Sequence, residues 1–144
     1  MRISWKRGQM LPTFDYTITV LNRRMGRDSS DKLDAWKKTV IPFCSWSTQT
    51  VRNVTGTEVS LGASFIVRVP KLADYRPYFE WKTDMQGVTF SVGDIIIKGE
   101  VTEEITPENV QSVVKKYPES FAISIFKDNT GTIEALEHYR IEGV

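Results

Sequence analysis

The chain has 144 residues, 40% of them hydrophobic and 26% charged, and these fractions are typical of a soluble globular protein with one domain. One cysteine and one histidine exclude an intrachain disulfide, a cysteine-based zinc site and a multi-histidine metal site. No apolar run is long enough to span a membrane, and no apolar segment follows the basic N-terminus as it would in a signal peptide. We therefore expect a protein that folds in a reducing cytoplasm.

The near-zero net charge conceals an asymmetry between the two halves of the chain. Residues 1–72 carry 12 Lys/Arg and 5 Asp/Glu, a net charge of +7, whereas residues 73–144 carry 7 and 13, a net charge of −6. Two interpretations are open. The halves can pack against each other in one fold, or they can form a polarised surface that orients the protein against a partner. Head-to-tail association of identical subunits would use the same polarity.

Residues 1–12 are basic and show no hydrophobic period, so they are predicted to form a flexible N-terminal arm that a partner would order. Trp5 and Arg7 in this arm are candidates for contacts between subunits. Residues 13–144 are expected to form a single domain.

An alternation of apolar and polar residues predicts the first strand over residues 14–21. A polar loop is expected next, over residues 22–31, and it carries the densest positive cluster of the chain, Arg23, Arg24 and Arg27. This loop is either a solvated hairpin tip or a mobile loop whose arginines contact DNA phosphates without sequence preference.

The next predicted strand covers residues 36–46 and is interrupted by Pro42, which cannot donate to a sheet ladder and therefore indicates a bulge, bend or edge. Turns are expected over residues 47–53 and 55–57 because they are polar or contain glycine. Another strand is predicted over residues 61–71, ending near Pro70.

Residues 72–81 combine two prolines with several aromatic residues and are predicted to be a loop. Such a loop either folds onto the core or exposes a contact surface. On the second interpretation, three aromatic residues are candidate contacts between subunits: Tyr75, Tyr78 and Trp81.

One short helix is predicted at about residues 107–117, after a β-branched strand at 94–98. Thr106 is a suitable cap, Pro107 suits the first helical position, and Pro118 stops the helix. One apolar face repeats at helical spacing through Val110, Val113, Val114 and Tyr117.

Strands are then predicted over residues 121–126 and 132–142, joined by a turn at 127–131. The complete pattern indicates a mainly β protein. We expect an antiparallel β-barrel or sandwich of about seven or eight strands with this one short α-helix packed on it.

The sequence contains no pattern that indicates catalysis. Cys44 lies in an apolar strand where a cysteine usually packs, and His138 is the single histidine. No nucleophile elbow or phosphate-binding glycine loop is present. A group of acidic residues lies around the start of the helix: Asp94, Glu100, Glu103, Glu104 and Glu108. Glu103 and Glu104 directly precede the helix, where negative charge is favourable. The group is either solvated or a helix-end feature, a protein contact, or a metal or acid–base site whose spacing matches no calcium loop. We expect a protein that is not an enzyme and that binds no cofactor or metal.

Two segments carry a resemblance to a known family: G-D-I-I-I-K-G-E-V at residues 93–101 and K-D-N-T-G at residues 127–131. With the F-D-Y-T-I-T-V-L-N and W-K-K-T-V-I-P-F-C-S-W segments, the chain from residue 13 to residue 144 resembles small proteins encoded among the head–tail joining genes of tailed phages and prophages of Gram-positive bacteria. The basic arm before residue 13 departs from that pattern. The family has no catalytic motif to transfer.

The resemblance implies a structural virion protein, made in the bacterial host cytoplasm and located in the phage neck. Its role would be that of a head-closure (stopper) ring subunit that connects the portal and adaptor to the tail and helps retain packaged DNA. The implied partners are copies of itself in a 6- or 12-fold ring, the portal or adaptor ring, tail proteins and packaged DNA, but no membrane. A tail terminator or tail-completion ring is the alternative, and a small β-barrel ligand-binding module or enzyme is a third interpretation.

Overall fold

The computed structural model describes residues 14–133 and 136–144. Within these residues there are six β-strands, two short α-helices and one 3-10 turn, Gly26–Asp28. The regular elements in chain order are β1 (Tyr16–Arg24), β2 (Ala35–Thr55), β3 (Glu58–Pro70), α1 (Tyr78–Asp84), β4 (Ile95–Lys98), α2 (Val110–Lys115), β5 (Ser120–Asn129) and β6 (His138–Gly143). The predicted arm at residues 1–12, with Trp5 and Arg7, lies outside the described residues.

The strands form a closed barrel in the order β1-β2-β3-β6-β5-β4, and all neighbouring pairs are antiparallel. The predicted fold class, a mainly β antiparallel barrel with a helix packed on it, is confirmed. The described part of the chain has six strands rather than seven or eight, because segments expected to be separate strands and turns merge into the long β2 and β3. The last strand is also shorter than predicted, since β6 begins at His138 and not near residue 132.

The core has two parts because several strands bury both of their faces. Inside the barrel, aliphatic side chains such as Ile18, Val20 and Ile96 pack with the aromatic residues. On the outside, Leu21 and Ile97 pack against α2 and the segment that precedes it. Burial on two sides explains why β4 is a continuous β-branched run rather than an alternating one.

The predicted helix is confirmed as α2, although it is shorter than expected and begins at Val110. Residues 107–109 form a turn. The Thr106 Oγ1 accepts a hydrogen bond from the Asn109 N–H at 3.3 Å, and the Asn109 Oδ1 accepts one from the Thr106 N–H at 2.7 Å. This reciprocal pair satisfies two backbone donors ahead of the helix, much as a capping box does.

The second helix, α1, corrects the prediction of a loop over residues 72–81, because the chain becomes helical at Tyr78. The Arg76 guanidinium donates to the carbonyl oxygens of Glu80 and Gln86 and pairs with Asp84. Trp81 is the buried residue of this helix. With one buried residue in seven, α1 has no hydrophobic period that a sequence pattern could reveal.

Of the bulge, bend or edge that Pro42 indicates, the structure has a bulge. Between the pairs Tyr16–Cys44 and Ile18–Ile41, the register of β1 against β2 shifts by one residue, so that Thr17 faces both Pro42 and Phe43. Phe43 has a positive φ of 60°, which is strained for an aromatic residue. As a result, Pro42 and Phe43 are both exposed, whereas Ile41 and Cys44 on either side are buried.

Strands β2 and β3 continue beyond the barrel as a two-stranded ribbon, the projecting hairpin of residues 49–64. β2 pairs with β1 only as far as Cys44, and β3 pairs with β6 only from Phe65 onward. Between these limits the two strands pair with each other up to the Thr55–Glu58 pair at the turn. The predicted turn at residues 47–53 is therefore wrong, and the turn at Gly56 is confirmed.

Candidate interaction surfaces

The three arginines singled out by the sequence do not share one loop. Arg23 and Arg24 are the last two residues of β1, and Arg27 lies in the 3-10 turn that follows. An open groove of about 710 Å³ runs along this segment, and Arg23, Met25, Gly26, Arg27, Ser29, Lys32 and Asp34 line it. The structure thus brings two of the predicted arginines, Arg23 and Arg27, to one concave surface.

Aspartates within the same segment reduce the positive charge of this groove. Arg23 Nη2 lies 2.7 Å from Asp34 Oδ2, and Arg27 Nε lies 4.0 Å from Asp28 Oδ2. The pKa of Asp34 is held below its usual value, mainly by the Gly26 N–H and then by Arg23. Arg27 is more available than Arg23, since 76% of its side chain is exposed against 44% for Arg23.

Arg24 is held by contacts within the chain. Its Nη2 lies 3.4 Å from the Ser29 Oγ, and its Nε is buried without a partner among the described residues. In the dense positive patch expected from the sequence, Arg23, Arg27 and Lys32 are exposed, and the Arg23 guanidinium is paired with Asp34.

The aromatic residues that were candidates for intersubunit contacts pack within the chain. Trp81 is fully buried, and its Nε1 donates to the Gly87 carbonyl at 3.1 Å. This position removes Trp81 from the surface and corrects the expectation that it forms an intersubunit contact. Its indole fills the space between α1 and the turn at Gly87. Phe79, with 66% exposed, is the aromatic side chain that α1 presents outward.

Tyr75 and Tyr78 are half-buried. The Tyr75 ring lies 4.6 Å from the Tyr139 ring and 5.9 Å from the Phe90 ring, at one end of the barrel. The Tyr78 hydroxyl donates to Asp28 at 2.7 Å and accepts from the Met25 N–H at 3.1 Å. Tyr78 therefore connects α1 to the arginine segment. The sequence left two interpretations open for residues 72–81, and the structure has the one in which this segment folds onto the core.

The sequence does not indicate that the carboxylate of Asp94 is buried. It is 2% exposed and accepts hydrogen bonds from the Arg23 N–H, the Ser91 N–H and the Asn22 Nδ2. Burial raises its pKa to about 6, against these three donors. Asp94 was grouped with exposed glutamates because of its sequence position, whereas its partner Asn22 is 72 residues away. Its role is to anchor the segment before β4 to the end of β1.

The remaining acidic residues behave as the sequence indicated. Glu100, Glu104 and Glu108 are exposed, and Glu103 accepts from the Tyr117 hydroxyl at 2.7 Å and pairs with Lys116. In the described ranges, no group of three or more His, Cys, Asp or Glu side chains is placed to hold a metal ion.

Cys44 is buried, and desolvation raises the pKa of its thiol to about 12. A thiol in this state is a packing residue rather than a nucleophile. His138 lies on β6, where its Nδ1 is 2.8 Å from the Leu136 carbonyl oxygen.

The most distinctive surface is the projecting hairpin. Every side chain described between Ser47 and Ala63 is exposed, and among the described strands none pairs with the outer edges of this ribbon. A cross-strand pair near its end, Val54 and Val59, is 62% and 53% exposed. An isolated two-stranded ribbon is marginally stable in water, and the two edges of this one present unpaired backbone groups.

The described residues form a small closed barrel with a long two-stranded projection. By its match to a family model over residues 13–144, the chain belongs to a family of unknown function (DUF6751). No curated protein matches the chain, and no solved structure matches it. No helix in residues 14–133 and 136–144 is both long and apolar enough to cross a membrane. The phage resemblance stays a prediction.

Proposed function

We propose that this chain is a structural ring subunit of a tailed-phage neck, a head-closure (stopper) protein that joins the portal and adaptor to the tail and helps retain packaged DNA. The observation that supports this proposal is the projecting hairpin. A ribbon with exposed apolar side chains and two unpaired backbone edges adds little to the stability of a lone monomer, and it offers a contact to an assembling subunit.

The surroundings of the hairpin favour a protein partner over a nucleic acid. Its described charged side chains are one arginine, Arg52, and one glutamate, Glu58, so it carries no basic stripe. Contact with packaged DNA would instead involve the groove at the end of β1, where Arg27 is exposed. The two surfaces divide the proposed role, with subunit contacts at the hairpin and a weak DNA contact at the groove.

Light scattering tests this proposal, on the protein alone and mixed with portal–adaptor complexes encoded by the same genome. We expect the mass of the complex to rise by a whole ring of subunits. Binding to tail tubes in place of the portal complex would move the protein to the tail-terminator class. Binding to neither would overturn the neck assignment.

A matched variant separates the hairpin from the fold. Replacing residues 51–62 by Asn-Gly joins Thr50 to Ala63, which are paired across the ribbon, through a two-residue turn. Because the removed residues lie beyond the barrel, we expect the variant to keep the thermal midpoint of the wild type and to lose ring formation. A variant that still forms the ring would show that the hairpin is not the contact.

A further inference from the structure

The outer face of the barrel carries an apolar patch where the bulge lies. Val40 and Phe43 are each 37% exposed, and Pro42 between them is exposed. The bulge creates this bulge patch, because it turns two consecutive residues outward in a strand that would otherwise alternate. The positive φ of Phe43 is a conformational cost that the fold accepts at this point.

The hairpin carries the second element, the hairpin tip, which consists of Arg52, Val54 and Val59. The two valines are its apolar part, and Arg52 is its charged part. Val54 and Val59 are directly opposite each other in the register. Arg52 is two residues before Val54 on the same strand and therefore lies on the same face. All three side chains are exposed.

The charges around these two elements are complementary. The bulge patch is flanked by Asp15, exposed just before β1, and by Glu100. Glu100 is held beside β1, because the Gly99 N–H donates to the Thr17 carbonyl at 2.7 Å and the Val101 N–H donates to the Thr19 Oγ1 at 3.0 Å. Lys38 also lies near the patch and keeps its positive charge, with its Nζ directed to the Glu103 carbonyl at 2.9 Å. The two carboxylates, Asp15 and Glu100, outnumber this ammonium, so the rim is net negative where the tip carries Arg52.

One continuous strand separates the two elements, so they cannot meet within a subunit. Phe43 and Val54 are both in β2, eleven residues apart. An extended strand of this length spans about 36 Å. The tip can therefore reach a bulge patch only on another molecule.

We propose that the hairpin tip of one copy of this chain docks on the bulge patch of the next copy. The contact is heterologous, so it generates a ring when the rotation closes. This inference rests on the proposed function to the extent that it names the subunit contact of the ring.

Disulfide cross-linking tests the contact. In a Cys44→Ser background, Val40→Cys protein is mixed with Val54→Cys protein that carries a tag of different mass, under mild oxidation. The control pairs Val54→Cys with Ile125→Cys. Ile125 is 46% exposed and lies on β5, three strands from β2 in either direction around the barrel. We expect the Val40–Val54 heterodimer to form several-fold faster than the control, and equal yields would overturn the inference.

Charge reversal checks the same contact by another route. Arg52→Glu is expected to suppress the Val40–Val54 cross-link, and Asp15→Lys with Glu100→Lys is expected to restore it. Suppression without restoration would contradict the assignment of the acidic rim.

Recruitment of the wild type to the portal–adaptor complex, measured in parallel, separates the two proposals. Recruitment without the cross-link leaves the neck role and rejects this contact. The cross-link without recruitment keeps the contact and rejects the neck role.

Discussion

The Asn22 Nδ2 donates to the Asp94 Oδ2 at 2.8 Å, inside the protein, and the same Nδ2 lies 2.5 Å from the Thr89 carbonyl oxygen. Asn22 is fully buried, and it joins the end of β1 to the chain that leads into β4. In the irregular segment at residues 88–94, the Thr89 N–H donates to the Asn22 Oδ1 and the Ser91 N–H donates to the Asp94 Oδ2. The two side chains therefore satisfy two backbone donors of this segment.

Asp94 should make stability depend on pH. Its pKa is raised to about 6 in the folded protein, so between about pH 4 and pH 6 the folded state holds a proton that the unfolded state has lost. The free energy of unfolding therefore falls with rising pH through this window, by about 3 kcal/mol from this group.

Asp94→Asn removes this titration. At pH 4 we expect the variant to be less stable than the wild type, by about 1–3 kcal/mol, because the amide Nδ2 cannot accept from the Arg23 N–H. The difference should shrink toward pH 7. Urea unfolding at several pH values measures it, and parallel stability curves for the two proteins would contradict the assignment.

Cys44 should be almost inert in the native protein. Its thiol is buried, and desolvation raises its pKa to about 12, so little thiolate is present at neutral pH. We expect reaction with a thiol reagent only on unfolding. The matched control is Val92→Cys in a Cys44→Ser background, where the native position is 70% exposed and reaction should be fast. Rapid labelling of native Cys44 would show that this part of β2 opens.

Gly143 is required by close packing between β5 and β6. A Cβ at this position would overlap the carbonyl oxygen of Ala122 and the ring of Phe121. Gly143→Ala should lower the free energy of unfolding by about 1–3 kcal/mol or more. Gly62→Ala is the control, because within the described part of the chain no heavy atom beyond its chain neighbours lies within 4 Å of the added carbon. Equal thermal midpoints for the two variants would contradict this packing.

The two groove arginines should differ in their effect on DNA binding. Arg27 is exposed, so Arg27→Gln should weaken non-specific binding and lower the salt slope by about 1. Arg23→Gln should change the slope less, since Asp34 already neutralises this guanidinium. Fluorescence anisotropy with duplex DNA over a salt series measures both. A larger effect from Arg23 would show that its ion pair opens on binding.

The features that the sequence predicted well are those with local signals. Pro42 indicates a bulge, bend or edge because proline cannot donate to the ladder, and the structure has the bulge. Val110 and Val113 indicate α2 through their helical spacing. The polar residues 47–53 suggest a turn, although the structure makes them part of β2, because a strand is normally recognised by its buried face. The projecting hairpin has no core face, so that signal is absent.

Other features depend on residues that are distant in the sequence. Nothing near Asp94 indicates that its carboxylate meets Asn22, and nothing near Arg23 indicates that Asp34 neutralises it. Local patterns therefore predicted the barrel with its helix, but neither the buried carboxylate nor the true charge of the groove.

The length of the projecting hairpin sets the distance between its tip and the barrel. Adding one residue to each strand of the ribbon would lengthen it by about 3.3 Å and turn Val54 and Val59 to the opposite face, whereas adding two to each would restore the face at a greater length. The spacing between joined subunits should then grow in steps of two residues per strand, and assembly should fail at the odd steps. The diameter of any assembly built through this ribbon would therefore depend on the number of residues by which β2 and β3 extend beyond the barrel.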